Sequence, residues 1–271
     1  MSNLIETSAF KWARLIMSFP TRSIKVMWLL NELNLPIRDI SKETDYSSLN
    51  VEQDSAIQVR FVRLETGEHM NPLKNPHPFH KVPCLEYQLK GEETKHVLFE
   101  SNAILMFLLE NFDTEKKLSP STSVYRTGLR YQIMMWVSSS LEQDISPAMK
   151  IFKTLLQKKG LNIMNKHLLT FEPEEKEEFD KASAIIRESY LPHVEKLLSE
   201  RDPNSQYLFD NQVDIADICL GFGLKGCDTC GLLDEKLYPN CKKYYGIMCA
   251  TASHGKAMQQ MMKMFTESLS K

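Results

Sequence analysis

Residues 84–112 read CLEYQLKGEETKHVLFESNAILMFLLENF, and no other stretch limits the fold as tightly. Leu85, Tyr87 and Leu89 alternate with Glu86 and Gln88, the period of a half-buried strand. Gly91 and its charged neighbours turn the chain, and residues 96–99 return as a second strand. Ser101 then caps a helix through Ile104, Phe107, Leu108 and Phe112. A hairpin that runs straight into a helix points to a sheet with helices laid against it.

The residues before the hairpin extend that sheet. Residues 12–17 form a compact apolar run suited to a buried strand. Pro20 is tolerated in a first helical turn. Ile24, Met27, Trp28, Leu30 and Leu33 then make a broad helical stripe, stopped by Asn34-Leu35-Pro36. Residues 41–55 are polar and aperiodic, an insertion or mobile loop. Ile57, Val59 and Phe61 alternate with Gln58 and Arg60, a further strand. Residues 69–81, rich in Pro, Asn and His, read as loop with at most a short helix. The order is therefore β-α-β-(α)-β-β-α.

Residues 113–123 (DTEKKLSPSTS) form a polar linker, and from Val124 onward the patterns are helical. In EPEEKEEFDKASAIIRESYLPHVEKLL an acidic first turn complements the helix dipole. Asp214, with Asp217 three residues on, is a variant capping box, and Val213 and Ile218 are placed for a hydrophobic staple. The expected organisation is an α/β domain over 10–112 and an all-helical domain over 124–271. The chain's 271 residues are enough for both.

Bulk properties exclude some roles. A net charge of −2 gives no basic footprint for nucleic acid. The longest apolar run, residues 103–109, is far too short to cross a bilayer. The start, MSNLIETSAF, lacks the basic and apolar segments of a secretory signal. The six cysteines then read as reduced thiols, and the expected location is cytoplasmic.

Four motifs carry a family resemblance. KVPCL followed by FESNAILMFL resembles the glutathione-site signature of the cytosolic glutathione transferases. SFPTR resembles the Ser-x-Pro-x-Arg turn of their theta class, and VRFVRLETGEH its second strand and following turn. DIADI resembles the capping box of the buried helix in the all-helical domain. The resemblance implies a thioredoxin-like α/β domain followed by an all-α domain, glutathione as co-substrate, a small electrophile as the other substrate, and a homodimer. Three departures stand out: the 41–55 segment, the extra residues HPFHK before Val82, and Tyr131-Gln132, where theta enzymes carry an acidic residue that reaches the partner subunit's glutathione.

The chemistry can be followed residue by residue. A thiol of pKa about 8.5 must be favoured as the anion by a unit or two, about 1.4–2.7 kcal/mol, to react at neutral pH. A hydroxyl aimed at sulfur together with a helix N-terminus can supply that. The first tyrosine is Tyr46 and the first cysteine Cys84, so the strand-to-helix turn offers only Ser18, Thr21 or Ser23. Ser18, at the strand end, is the expected catalytic hydroxyl; an ordinary helix cap is its other reading. Arg22 would add positive potential. At Val82-Pro83 a cis bond would free the Val82 N–H and C=O to pair with an extended peptide. Glu100 would take the γ-glutamyl ammonium, while Ser101 and the helix N–H groups hold its carboxylate. His69 and Lys81 are the basic residues for the glycine carboxylate. Phe19, Tyr131, Met134 and Met135 would line the electrophile pocket, with AMQQMMKMF as a C-terminal lid.

No metal is expected. His69, His77 and His80 sit in a proline-rich loop without ligand spacing. Cys227 and Cys230 form a CxxC late in the helical region, read as incidental thiols with structural zinc as the other possibility. Three functional readings stay open: a conjugating transferase, a glutathione-dependent dehalogenase or peroxidase, and a non-catalytic binding protein of the same fold.

Overall fold

The computed structural model describes residues 9–43, 56–120 and 123–270. Most of the 41–55 segment lies outside the described residues. The chain divides into two compact units, one comprising Met1–Ser119 with Thr251–Lys271, the other Pro120–Ala250.

The first unit holds a five-stranded sheet of order β2-β3-β1-β4-β5. Its strands are β1 (Phe10–Met17), β2 (Ile37–Asp39), β3 (Ile57–Phe61), β4 (Cys84–Leu89) and β5 (Lys95–Phe99). β1 is parallel to β3 and antiparallel to β4, so it lies at the centre. That position explains why residues 12–17 are apolar almost without alternation. Strand β2 was not legible in the sequence: three residues are too few to show a period. Helices α1 (Ser23–Glu32) and α2 (Ser101–Phe112) belong to this unit, whereas residues 69–81 form no α-helix, only a 3-10 turn at Glu68–Met70.

One row on the sheet is polar yet buried. Arg14 donates to Gln58 Oε1 from Nε and Nη2 (3.1 and 3.0 Å) and pairs with Glu86 at 3.2 Å. Trp12 Nε1 donates to Gln88 Oε1 at 2.8 Å. Such groups are tolerated inside because their partners sit directly opposite in the strand register. Beyond them the row turns apolar: Ile16, Val62 and Cys84 cluster, with Val82 packed on them.

In the second unit the helices are α3 (Val124–Trp136), α4 (Glu142–Lys158), α5 (Pro173–Ile185), α6 (Leu191–Ser199), α7 (Ile215–Thr229) and α8 (Pro239–Cys249). Single π turns at Val137–Leu141 and Ile186–Tyr190 join α3 to α4 and α5 to α6. The capping box forms as its sequence implies, Asp214 accepting from Ala216 N at 3.0 Å and Asp217 from Asp214 N at 2.7 Å.

The last helix, α9 (Ala252–Leu269), corrects the sequence-based grouping of 124–271 as one domain, because it belongs to the compact unit of the sheet. Trp28 Nε1 donates to Ser253 Oγ (3.2 Å), Asn31 Nδ2 to Gln260 Oε1 (2.8 Å), and Trp28 lies 4.6 Å from the His254 ring. Its buried stripe, Ala257, Met261 and Met264, is core rather than a free lid. Among the described residues, no helix is long and apolar enough to cross a membrane.

Candidate functional site

Ser18 follows β1 directly and is buried (2% exposed). Its backbone, not its hydroxyl, joins the turn: Thr21 Oγ1 donates to Ser18 O at 2.7 Å, and Ser18 N donates to Ser23 Oγ at 3.4 Å. The helix opens at Ser23, three residues later than Pro20, with Arg22 as its N-cap. Thr21 and Ser23 bond each other at 2.8 Å and organise the first turn. The Ser18 hydroxyl therefore does no capping.

Strand register brings three distant segments together. Ile16 lies opposite Cys84, and Cys84 opposite Phe99. Ser18 is two residues beyond Ile16, Val82 two before Cys84, and Glu100 one beyond Phe99. All three leave the sheet at the same end, on neighbouring strands about 4.8 Å apart. Val82-Pro83 is a cis peptide, and so is Phe19-Pro20. Among the described residues, no backbone hydrogen bond takes the N–H or C=O of Val82.

Glu100 is exposed and has φ 70°, ψ 115°. The positive φ turns the chain abruptly from β5 into α2, leaving buried Ser101 as the first helical residue. Close by, Lys25 of α1 is fully buried and donates to Asn102 Oδ1 at 3.3 Å, tying the start of α1 to the start of α2.

The basic residues are brought together by one that the sequence reading passed over. Asn75 is fully buried. Its Nδ2 donates to His69 O and to Lys81 O, each at 3.0 Å. Those two carbonyl oxygens are thus no more than about 6 Å apart, the sum of two ordinary hydrogen-bond lengths. His69 is half-buried and Lys81 exposed. Within HPFHK, buried His77 packs 4.9 Å from the Phe99 ring, and its Nδ1 accepts from Phe79 N at 3.0 Å. Burial holds His77 below the ordinary imidazole range, against the opposing pull of Glu100.

The residues expected around the electrophile are divided between the two units, Phe19 in the first and Tyr131, Met134 and Met135 in the second. Phe19 is 6.2 Å from Phe265, which is 6.1 Å from Phe61, an aromatic row inside the first unit. On α3, Tyr131 and Met135 are about half exposed, but Met134 is fully buried in the core of its own unit. Met134 lies about 100° round the helix from Met135, on the side that meets the core. Met134 is thereby corrected from pocket lining to core.

Among the described residues, no group of three or more His, Cys, Asp or Glu side chains could hold a metal ion. Cys227 and Cys230 are buried, and burial pushes Cys230 up to about 12 and Cys227 higher still. Thiols so disfavoured as anions are poor nucleophiles.

A thioredoxin-like sheet unit with a mostly helical second unit is the glutathione transferase fold. Residues 49–110 match the family model described as glutathione S-transferase, N-terminal domain. No curated protein matches the chain in sequence. Among solved structures, the glutathione transferase URE2P8 from Phanerochaete chrysosporium, with oxidized glutathione, is 17% identical with a TM-score of 0.63, covering 94% of this chain and 97% of that one. The maleylacetoacetate isomerase from Anaeromyxobacter dehalogenans 2CP-1, with bound glutathione, is 19% identical with a TM-score of 0.58, covering 91% and 94%. A glutathione transferase from Burkholderia graminis, with two glutathione molecules per subunit, is 19% identical with a TM-score of 0.60, covering 91% and 87%.

Proposed function

We propose that the chain is a glutathione transferase of theta-like type, and that Ser18 stabilises the glutathione thiolate. The carrying observation is the convergence of Ser18, Val82 and Glu100-Ser101 at one end of the sheet. Each suits a different part of one tripeptide. The Val82 backbone pairs with the cysteinyl unit, as an added strand would. Ser101 and the α2 N-terminus hold the γ-glutamyl carboxylate, and Glu100 takes the ammonium. His69 and Lys81 face the glycine carboxylate.

In the reaction, the thiol proton passes to solvent and the Ser18 hydroxyl donates to the sulfur anion. In dry surroundings such a bond is stronger than in water. The sulfur then attacks an electrophilic carbon; the C–S bond forms as the bond to the leaving group breaks, and the leaving group departs with its electron pair. Arg22 adds positive potential, and Phe19 gives an apolar wall beside Ser18. The protein itself contributes a lowered thiol pKa and the holding of two reactants in place. A cytoplasmic homodimer belongs to the same proposal, and six free cysteines fit a reducing compartment.

The test is calorimetric titration with glutathione, followed by mass spectrometry of the products formed with an aryl halide, alongside halide-release and peroxide assays. Conjugate formation supports the reading. Halide release or peroxide turnover without a stable conjugate selects the dehalogenase or peroxidase. Failure to bind glutathione removes the enzyme reading altogether.

A further inference from the structure

We infer that Asn75 is the positioning residue of this site, acting on glutathione through the segments it ties together. The inference rests on the proposed function. Asn75 bonds three ways. Its Nδ2 spans the His69 and Lys81 carbonyls at 3.0 Å each, and its Oδ1 accepts from His77 N at 3.3 Å. His77 in turn packs on Phe99, the residue immediately before Glu100. One amide therefore links the loop of His69, the Lys81-Val82-Pro83 turn and, through His77, the corner that carries Glu100.

Neither basic residue is held by regular secondary structure across the gap between them. His69 belongs to a three-residue 3-10 turn, and Lys81 precedes β4 in irregular chain. Backbone bonds hold each local turn, and Asn75 joins the His69 and Lys81 segments to each other, both bonds coming from a single atom. A fully buried amide with two carbonyl acceptors has little freedom to drift, because each lost bond would leave one of its own buried N–H groups unpaired. Asn75 touches no substrate. What it sets is the spacing of the two basic side chains on the glycine carboxylate and the line of the Val82 backbone.

The experiment compares full-length wild type with Asn75→Ala and Asn75→Ser, using glutathione and glutathione monoethyl ester, whose glycine carboxylate is blocked. Wild type should bind glutathione about tenfold more tightly than the ester, the scale of one charge-assisted pair. In Asn75→Ala that preference should fall to about twofold or less, with KM for glutathione raised and kcat at saturation kept within about twofold. Asn75→Ser, which keeps one donor, should fall between. A folded Asn75→Ala that retains the full preference overturns the inference, and so does unfolding of both variants, since Asn75 would then serve folding alone. If wild type binds neither thiol, the functional reading itself falls; if wild type binds both and the variants match it, only the role of Asn75 falls.

Discussion

Arg130 and Asp214 form a buried fork: Arg130 Nε lies 2.9 Å from both carboxylate oxygens of Asp214, and Nη2 lies 2.7 Å from Oδ2. Both residues are almost wholly buried, Arg130 in the body of α3 and Asp214 at the N-cap of α7. The pair fixes the start of the most buried helix in the second unit against its neighbour, while the same carboxylate caps that helix.

Breaking a buried pair from one side leaves the other charge stranded, which costs about 3–5 kcal/mol. Arg130→Met should lose that much stability in urea unfolding at neutral pH. Burial already raises the Asp214 carboxyl above its ordinary range with arginine present. Without it, the folded-state pKa rises further above the unfolded one, so the deficit should shrink as pH falls and Asp214 takes up a proton. A deficit independent of pH would show that the pair is not electrostatic in origin.

Asp217 is fully buried, and burial raises its carboxyl to about 7 despite donors from Tyr244 OH (2.6 Å), Leu208 N (2.9 Å) and Asp214 N (2.7 Å). The folded pKa exceeds the unfolded value of about 3.9, so the folded state holds the proton more firmly. That stabilisation is fully present below about pH 4 and is lost as pH rises through about 7. The stability of wild type relative to Asp217→Asn should therefore fall by about 2–3 kcal/mol between pH 5 and 7.5, at about 1.36 kcal/mol per unit up to 7. Parallel urea curves at pH 5, 6 and 7.5 measure it; a constant difference would mean that Asp217 stays ionised throughout.

The terminal helix offers a sharper contrast. Met261 is fully buried, while its neighbour Met262 is 47% exposed. Met261→Ala should cost about 2–5 kcal/mol and Met262→Ala no more than about 0.5. Equal small effects in thermal unfolding would mean that α9 is only loosely attached.

What the sequence made legible was whatever depends on local pattern. The β4–β5 alternation, the Val82-Pro83 turn, the Glu100-Ser101 helix start and the Asp214–Asp217 box each carry a signature within a few residues. Partnerships between strands do not. Gln58 and Arg60 alternate with apolar neighbours as a solvent face would, yet both are buried, Gln58 against Arg14 of the neighbouring strand. Met134 looks like its exposed neighbours because residue type does not report which helix face meets the core. Helix α9 shows a clear amphipathic stripe, but its period says nothing of which unit the stripe faces. Asn75 is the hardest case: an Asn-Pro in a polar loop reads as turn chemistry, and only coordinates reveal that one amide spans carbonyls six residues to either side.

The central claim, that the Ser18 hydroxyl stabilises a bound thiolate, meets its most direct test in ultraviolet thiolate absorbance of the enzyme–glutathione complex titrated over pH. The account predicts an apparent thiol pKa one to two units below about 8.5 in wild type, returning to within about half a unit of 8.5 in Ser18→Ala, with glutathione still bound. The same apparent pKa in both proteins would contradict it.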